Sequence, residues 1–115
     1  MTRVLVVDDV ASMRQLAAYT LKSGGFECTE AKDGEEAWEK CQKQDYDLVI
    51  ADLDMPKMGG LELSRKLREK GMVSPILLLT TALEHQELAS KADVNELIVK
   101  PFNPEALLQK IRLVS

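Results

Sequence analysis

Four short apolar runs in this chain each end in a side chain that can do chemistry. Arg3-Val4-Leu5-Val6-Val7 runs into Asp8-Asp9, and Leu48-Val49-Ile50-Ala51 into Asp52. Pro75-Ile76-Leu77-Leu78-Leu79 runs into Thr80-Thr81, and Leu97-Ile98-Val99 into Lys100. A carboxylate, a hydroxyl and an ammonium are the components of phosphoryl transfer. The carboxylate is the nucleophile, while the hydroxyl and the ammonium serve the equatorial oxygens. Three carboxylates gathered in a partly buried cleft repel one another, and a hard divalent cation relieves that. Magnesium suits such a site because it takes few protein carboxylates and keeps several waters. Each residue also has a plain structural use. Asp8-Asp9 can be an acidic pair at a helix N-terminus, Asp52 a strand-end carboxylate facing water, Thr80 a strand-end hydroxyl, and Lys100 a snorkelling surface lysine. What separates the readings is whether all of them meet at one sheet edge.

The elements that must position them follow from pattern. The runs at 3–7, 48–51, 75–79 and 97–99 read as strands buried on both faces, with 26–31 a more polar strand nearer a sheet edge. Ser12-Met13-Arg14-Gln15 has the form of a capping box. Met13, Leu16, Ala17, Thr20 and Leu21 follow at helical spacing until Gly24-Gly25. Asp33-Gly34-Glu35-Glu36 opens a second helix with Ala37, Trp38 and Cys41 inward. Residues 61–70 predict a third, amphipathic helix ended by Gly71. Residues 82–92 predict a helix of weak amphipathicity. Asn103 as N-cap and Pro104 at the first helical position open a last helix that buries Leu107, Leu108 and Ile111. Five strands alternating with five helices, without a hairpin signal, predict a parallel α/β sheet. Right-handed crossovers make it a three-layer, doubly wound αβα domain. Open sheets of this kind bind ligands at the carboxyl ends of their strands, where Asp52 stands.

Composition narrows the function. The 115 residues predict one domain, 1–115; they are 45% hydrophobic and 30% charged with a net charge of −4, and no basic stripe points to nucleic acid. No apolar run approaches a membrane span, and a strand begins at once, so a cytoplasmic protein without a membrane contact is expected. Cys28 and Cys41 lack metal or redox spacing and read as reduced core thiols. His85, the single histidine, reads as a solvated helix residue, while Trp38, Tyr19 and Tyr46 read as packing residues. Met55 and Met58 are expected to pack around the loop after Asp52.

Taken together, Val6-Val7-Asp8-Asp9, Ala11-Ser12-Met13-Arg14, Asp52-Leu53-Asp54-Met55-Pro56-Lys57-Met58-Gly59-Gly60, the run from Pro75 to Thr80, and Val99-Lys100-Pro101-Phe102 carry a resemblance. Essentially the whole chain resembles the receiver domains of two-component response regulators, within them the stand-alone chemotaxis (CheY-like) type. That resemblance implies the strand order 2-1-3-4-5. It implies that a histidine kinase phosphorylates Asp52, with Mg2+ held by Asp9, Asp52 and the backbone carbonyl of Asp54. Asp8 would act on the metal through water, Thr80 would move to the phosphoryl group, and Lys100 would pair with it. Of the adjacent hydroxyls, Thr80 takes the switch position and Thr81 the small residue after it. A cis Lys100–Pro101 bond is implied as well.

The same resemblance sets finer expectations. Asp54 and Ala82 would flank the path of an attacking water and favour a short phosphoryl lifetime. A downstream protein would dock on the face of the fourth predicted helix, the fifth strand and the last helix. Leu97 stands where similar domains carry an aromatic switch residue, and the segment from Thr80 to Lys100 is about two residues short of their usual spacing. Asp93-Val94-Asn95-Glu96 replaces their customary Gly-Ala turn. The segment 82–96 is therefore expected to be the bistable element. Such a chain is not an enzyme beyond its own phosphorylation and dephosphorylation. Two rivals remain. Asp52-Leu53-Asp54 after an apolar strand also resembles haloacid-dehalogenase-type phosphatases, although Met55-Pro56 and the short chain argue against them. A pseudo-receiver that binds without being phosphorylated is the other.

Overall fold

In the computed structural model, residues 2–80, 96–100 and 102–114 are described. The elements are β1 (Arg3–Val7), α1 (Ala11–Ser23), β2 (Glu27–Ala31), α2 (Gly34–Lys43), β3 (Leu48–Asp52), α3 (Gly60–Lys70), β4 (Ile76–Thr80), β5 (Glu96–Val99) and α4 (Pro104–Val114). The expected helix over 82–92, His85, Thr81, Ala82 and the Lys100–Pro101 bond lie outside the described residues. All strand pairs are parallel, in the order β2-β1-β3-β4-β5. The fold is thus the expected doubly wound, flavodoxin-like one.

Burial follows from that order. β3 and β4 lie inside the sheet with helices over both faces, so all five residues of each are buried. β2, at an edge, is the most polar strand. One core layer holds Ala37 and Cys41 of α2 and Leu63 and Leu67 of α3 against Leu5, Val7, Val49 and Ala51. The other holds Ala17 and Leu21 of α1, with Leu107 and Ile111 of α4, against Val4, Val6, Leu48 and Ile50. Alternate residues of each strand serve opposite layers, the two-residue period of an extended chain.

The helix ends show where local signals were decisive. Asn103 Oδ1 accepts the Glu105 amide at 2.8 Å, ahead of Pro104 as expected. Asp33 Oδ1 accepts the Glu36 amide at 2.8 Å and caps α2. Gly71 ends α3 in the left-handed region at φ 105°. The capping box at Ser12 is a correction. α1 begins at Ala11 with Val10 as N-cap and no side-chain cap, and Ser12 is exposed within the helix. Asp8 Oδ1 instead accepts the Val10 amide at 2.9 Å, just ahead of a helix that starts two residues earlier than Ser12 as N-cap would place it. Two packing expectations also change. Tyr19 is 74% exposed and Leu16 faces solvent, with Ala18 buried in their place, whereas Tyr46 is buried and Trp38 is half-buried, its ring centre 5.1 Å from Lys66 Nζ and 5.9 Å from Lys70 Nζ.

Candidate phosphoacceptor site

Parallel pairing brings the strand ends to one edge of the sheet. In register, Val7 stands beside Ala51, Asp52 beside Leu79, and Thr80 beside Val99. The residues that follow these positions therefore share an edge. The ladder continues just past the strands: Asp8 donates its amide to Ala31 O at 3.2 Å, Leu53 to Leu79 O at 2.8 Å, and Lys100 to Thr80 O at 2.6 Å. Backbone bonds thus hold Asp8 against β2 and the end of β3 at Asp52 against β4, so neither is carried on a free loop.

Their side chains converge. Asp8, Asp9 and Asp52 each bring a carboxylate oxygen within 4.8 Å of the others, Asp8 and Asp52 buried and Asp9 exposed. Lys100 Nζ lies 3.1 Å from Asp8 Oδ2 and 3.1 Å from Asp52 Oδ2, with its side chain only 11% exposed. It is not a snorkelling lysine. Thr80 is 1% exposed at the end of β4. Asp54 is exposed in the loop after β3, and its amide is 3.4 Å from Asp52 Oδ1. Met58 is buried and Met55 half-buried against the core beneath that loop.

The electrostatics match a site short of positive charge. Burial raises the Asp52 carboxyl above its usual range, with Asp8 adding to it, and the Lys100 contact only partly offsets them. Burial alone would lower Lys100, but its bonds to Asp52 and Asp8 outweigh that and hold the ammonium above its usual value. One ammonium thus serves two of three crowded carboxylates. Hard oxygen donors of this number and spacing, with room for water on the exposed Asp9 side, fit a magnesium ion.

Three supports were not evident from spacing. Gly60, the first residue of α3, lies so close to β3 that a Cβ there would come within 2.5 Å of Asp52 O. Gly34, at the start of α2, would likewise collide with Met58 O. The Gly59-Gly60 pair was visible as a motif, but its contact with Asp52 was not. Arg14 was visible as well. Its partners, the Asp8 carbonyl at 2.7 Å and Glu30 Oε1 at 3.1 Å, are joined only by the fold. Cavity size does not mark this chemistry. A cleft of about 390 Å3 lies at the opposite, amino edge, lined by Tyr46, Leu67, Lys70 and Met72 among others.

Comparison with known proteins agrees with this arrangement. Residues 4–112 match the response regulator receiver domain. Chemotaxis protein CheY1 of Helicobacter pylori is 42% identical over 118 residues, covering 97% of this chain and 95% of that protein. The structure of Vibrio cholerae chemotaxis protein CheY4 superposes with a TM-score of 0.94 at 39% identity, covering 100% of this chain and 99% of that one. Response regulator TrrA of Thermotoga maritima, solved in complex with Mg(2+)-BeF, gives 0.92 at 39% identity, with both chains fully covered. A partly buried acidic cluster at the carboxyl edge of a 2-1-3-4-5 sheet, in a chain matched over nearly its whole length, makes this chain a CheY-type member of the response regulator receiver domain family.

Proposed function

We propose that this chain is the phosphoacceptor of a two-component, chemotaxis-type signalling pathway, taking a phosphoryl group from a histidine kinase onto Asp52. One observation carries the reading: three carboxylates within 4.8 Å of one another, with Lys100 3.1 Å from two of them. An Asp52 carboxylate oxygen attacks phosphorus; the P–O bond forms as the P–N bond of the phosphohistidine breaks. The imidazole leaves with the electron pair and takes its proton from solvent. Lys100, already on Asp52, moves its ammonium to a phosphoryl oxygen, and the Thr80 hydroxyl donates to another. Asp8, Asp9, Asp52 and the Asp54 carbonyl are the groups that would hold Mg2+, which supplies positive charge to the phosphoryl oxygens. The Mg(2+)-BeF complex of TrrA supports that assignment.

The chain's chemistry is its own phosphorylation and dephosphorylation, with no turnover of a separate substrate. A single receiver domain spanning 1–115, in the cytoplasm, is the setting proposed for it. Output runs through a downstream protein on the face of β5, α4 and the segment preceding β5, where Leu113 is 81% exposed. Acetyl phosphate with Mg2+ should label the wild-type chain to one phosphoryl group, and Asp52→Asn should take none. Full labelling of Asp52→Asn, or none of the wild type, would overturn the proposal. Repeated turnover of small phosphate esters would instead favour a phosphatase.

A further inference from the structure

The loop between β1 and α1 carries two of the three carboxylates, so a cation site here depends on what holds that loop. The Asp8 backbone is gripped on both sides of its Cα. Its amide donates to Ala31 O of β2 at 3.2 Å, and its carbonyl accepts Arg14 Nη1 at 2.7 Å. Arg14 is itself oriented, because its Nε donates to Glu30 Oε1 at 3.1 Å and its side chain is only 17% exposed. Glu30 is anchored in turn, since Lys40 Nζ of α2 donates to its carbonyl at 2.6 Å. A chain of contacts thus runs from α2 through the end of β2 and α1 to the acidic loop. Its residues lie far apart in sequence.

We infer that Arg14, oriented by Glu30, is a positioning residue for the cation site. It holds the Asp8–Asp9 loop in the geometry that gathers the carboxylates toward Asp52. The inference rests on the proposal that Asp8, Asp9 and Asp52 hold Mg2+. Before a cation arrives, mutual repulsion pushes these carboxylates apart. The exposed Asp9 has somewhere to go, and a loop without a grip on its carbonyl would relax outward. The rigid planar fork of a guanidinium fixes the directions of its bonds to the two acceptors, whereas a lysine ammonium is a point charge on a flexible stem.

The sign of the effect separates positioning from simple charge. Arg14 brings a positive charge close to an acidic site, so on field strength alone its removal should tighten cation binding. Positioning predicts the reverse. Magnesium would be titrated calorimetrically into the whole chain, as wild type, Arg14→Met and Arg14→Lys. Without metal, exchange of the Val10 amide would be followed, because it donates to Asp8 Oδ1. Arg14→Met should bind Mg2+ about tenfold more weakly, the loss seen when groups behind a metal ligand are removed. Arg14→Lys keeps the charge and should still bind several-fold more weakly. Val10 exchange should be faster in both. If Arg14→Met does not fold, Arg14→Lys decides alone. Unchanged or tighter Mg2+ binding by Arg14→Lys, with unchanged Val10 exchange, would overturn the inference. A wild-type chain that binds no Mg2+ would overturn the acidic-site proposal, and this inference with it.

Discussion

Asp52 is a residue placed where its charge is uncomfortable. Burial and the nearby Asp8 work against its ionised form more than Lys100 works for it. In the folded, metal-free chain the ionised carboxylate therefore costs stability. Asp52→Ala should raise the unfolding free energy in EDTA at pH 7 by on the order of 1 kcal/mol, as urea denaturation would report. A clear loss of stability would mean that the Lys100 pair is worth more than the burial. The thiols behave oppositely to reactive cysteines. Burial pushes Cys28 up to about 11, helped by Glu30 and opposed by Lys22. Its alkylation should be slow at pH 8 and rise with pH until about 11, since only the thiolate reacts. A plateau already reached at pH 8 would contradict this. Residue types and strand-end positions made Asp8, Asp9, Asp52 and Lys100 legible from sequence. The Lys100 bridge and the grip of Arg14 were not, because hydrogen bonds between residues 92 or 6 apart leave no local pattern.

At the scale of elements, the glycines divide into those that bend the chain and those that admit a neighbour. Gly71 stands at φ 105° with nothing near the position of a Cβ, so it serves α3's end through its backbone alone. Gly60 has the opposite character, lying against Asp52 O and Leu78. Gly71→Ala should lower stability by about 1 kcal/mol through left-handed strain and leave Asp52 labelling intact. Gly60→Ala should slow labelling as well, because the added methyl must displace the strand end that carries Asp52. Equal labelling rates for the two variants, measured with acetyl phosphate, would refute this division. Strands and helices were legible because their periods differ and their punctuation was strong, with Asp33, Gly71 and Asn103-Pro104 acting as read. The start of α1 was misread at Ser12, since the same short pattern serves equally inside a helix. Tyr19 was misread because an aromatic type alone suggested packing, although it lies off the stripe of Met13, Leu16, Ala17, Thr20 and Leu21; α1 turns Ala17, Ala18, Thr20 and Leu21 inward.

For the whole molecule, a partly buried acidic cluster links pH, metal and stability. Without metal, Asp52 has a folded pKa above its unfolded value. Its contribution to stability is then fully present below the unfolded pKa and fades as pH rises through the folded one. Lys100, also raised, contributes below its unfolded pKa and loses that contribution only in the alkaline range, as pH passes its folded value. Between these limits the metal-free chain keeps Asp52 ionised at a cost. A bound cation reverses the acidic part, because it requires the ionised Asp52 carboxylate that burial disfavours. Each tenfold excess of Mg2+ over its dissociation constant should add about 1.4 kcal/mol to stability at pH 7. At a fixed Mg2+ concentration the stabilisation should shrink as pH falls through the range in which Asp52 takes up a proton, because the apparent dissociation constant rises. Melting curves with EDTA and with 10-fold steps of Mg2+, from pH 8 to pH 4, would test it. The expected result is a family of curves that separate at pH 8 and converge toward pH 4, with Asp52→Asn showing the smallest separation at every pH. Curves equally spaced at all pH values would mean that the cation stabilises the fold elsewhere than at this edge of the sheet.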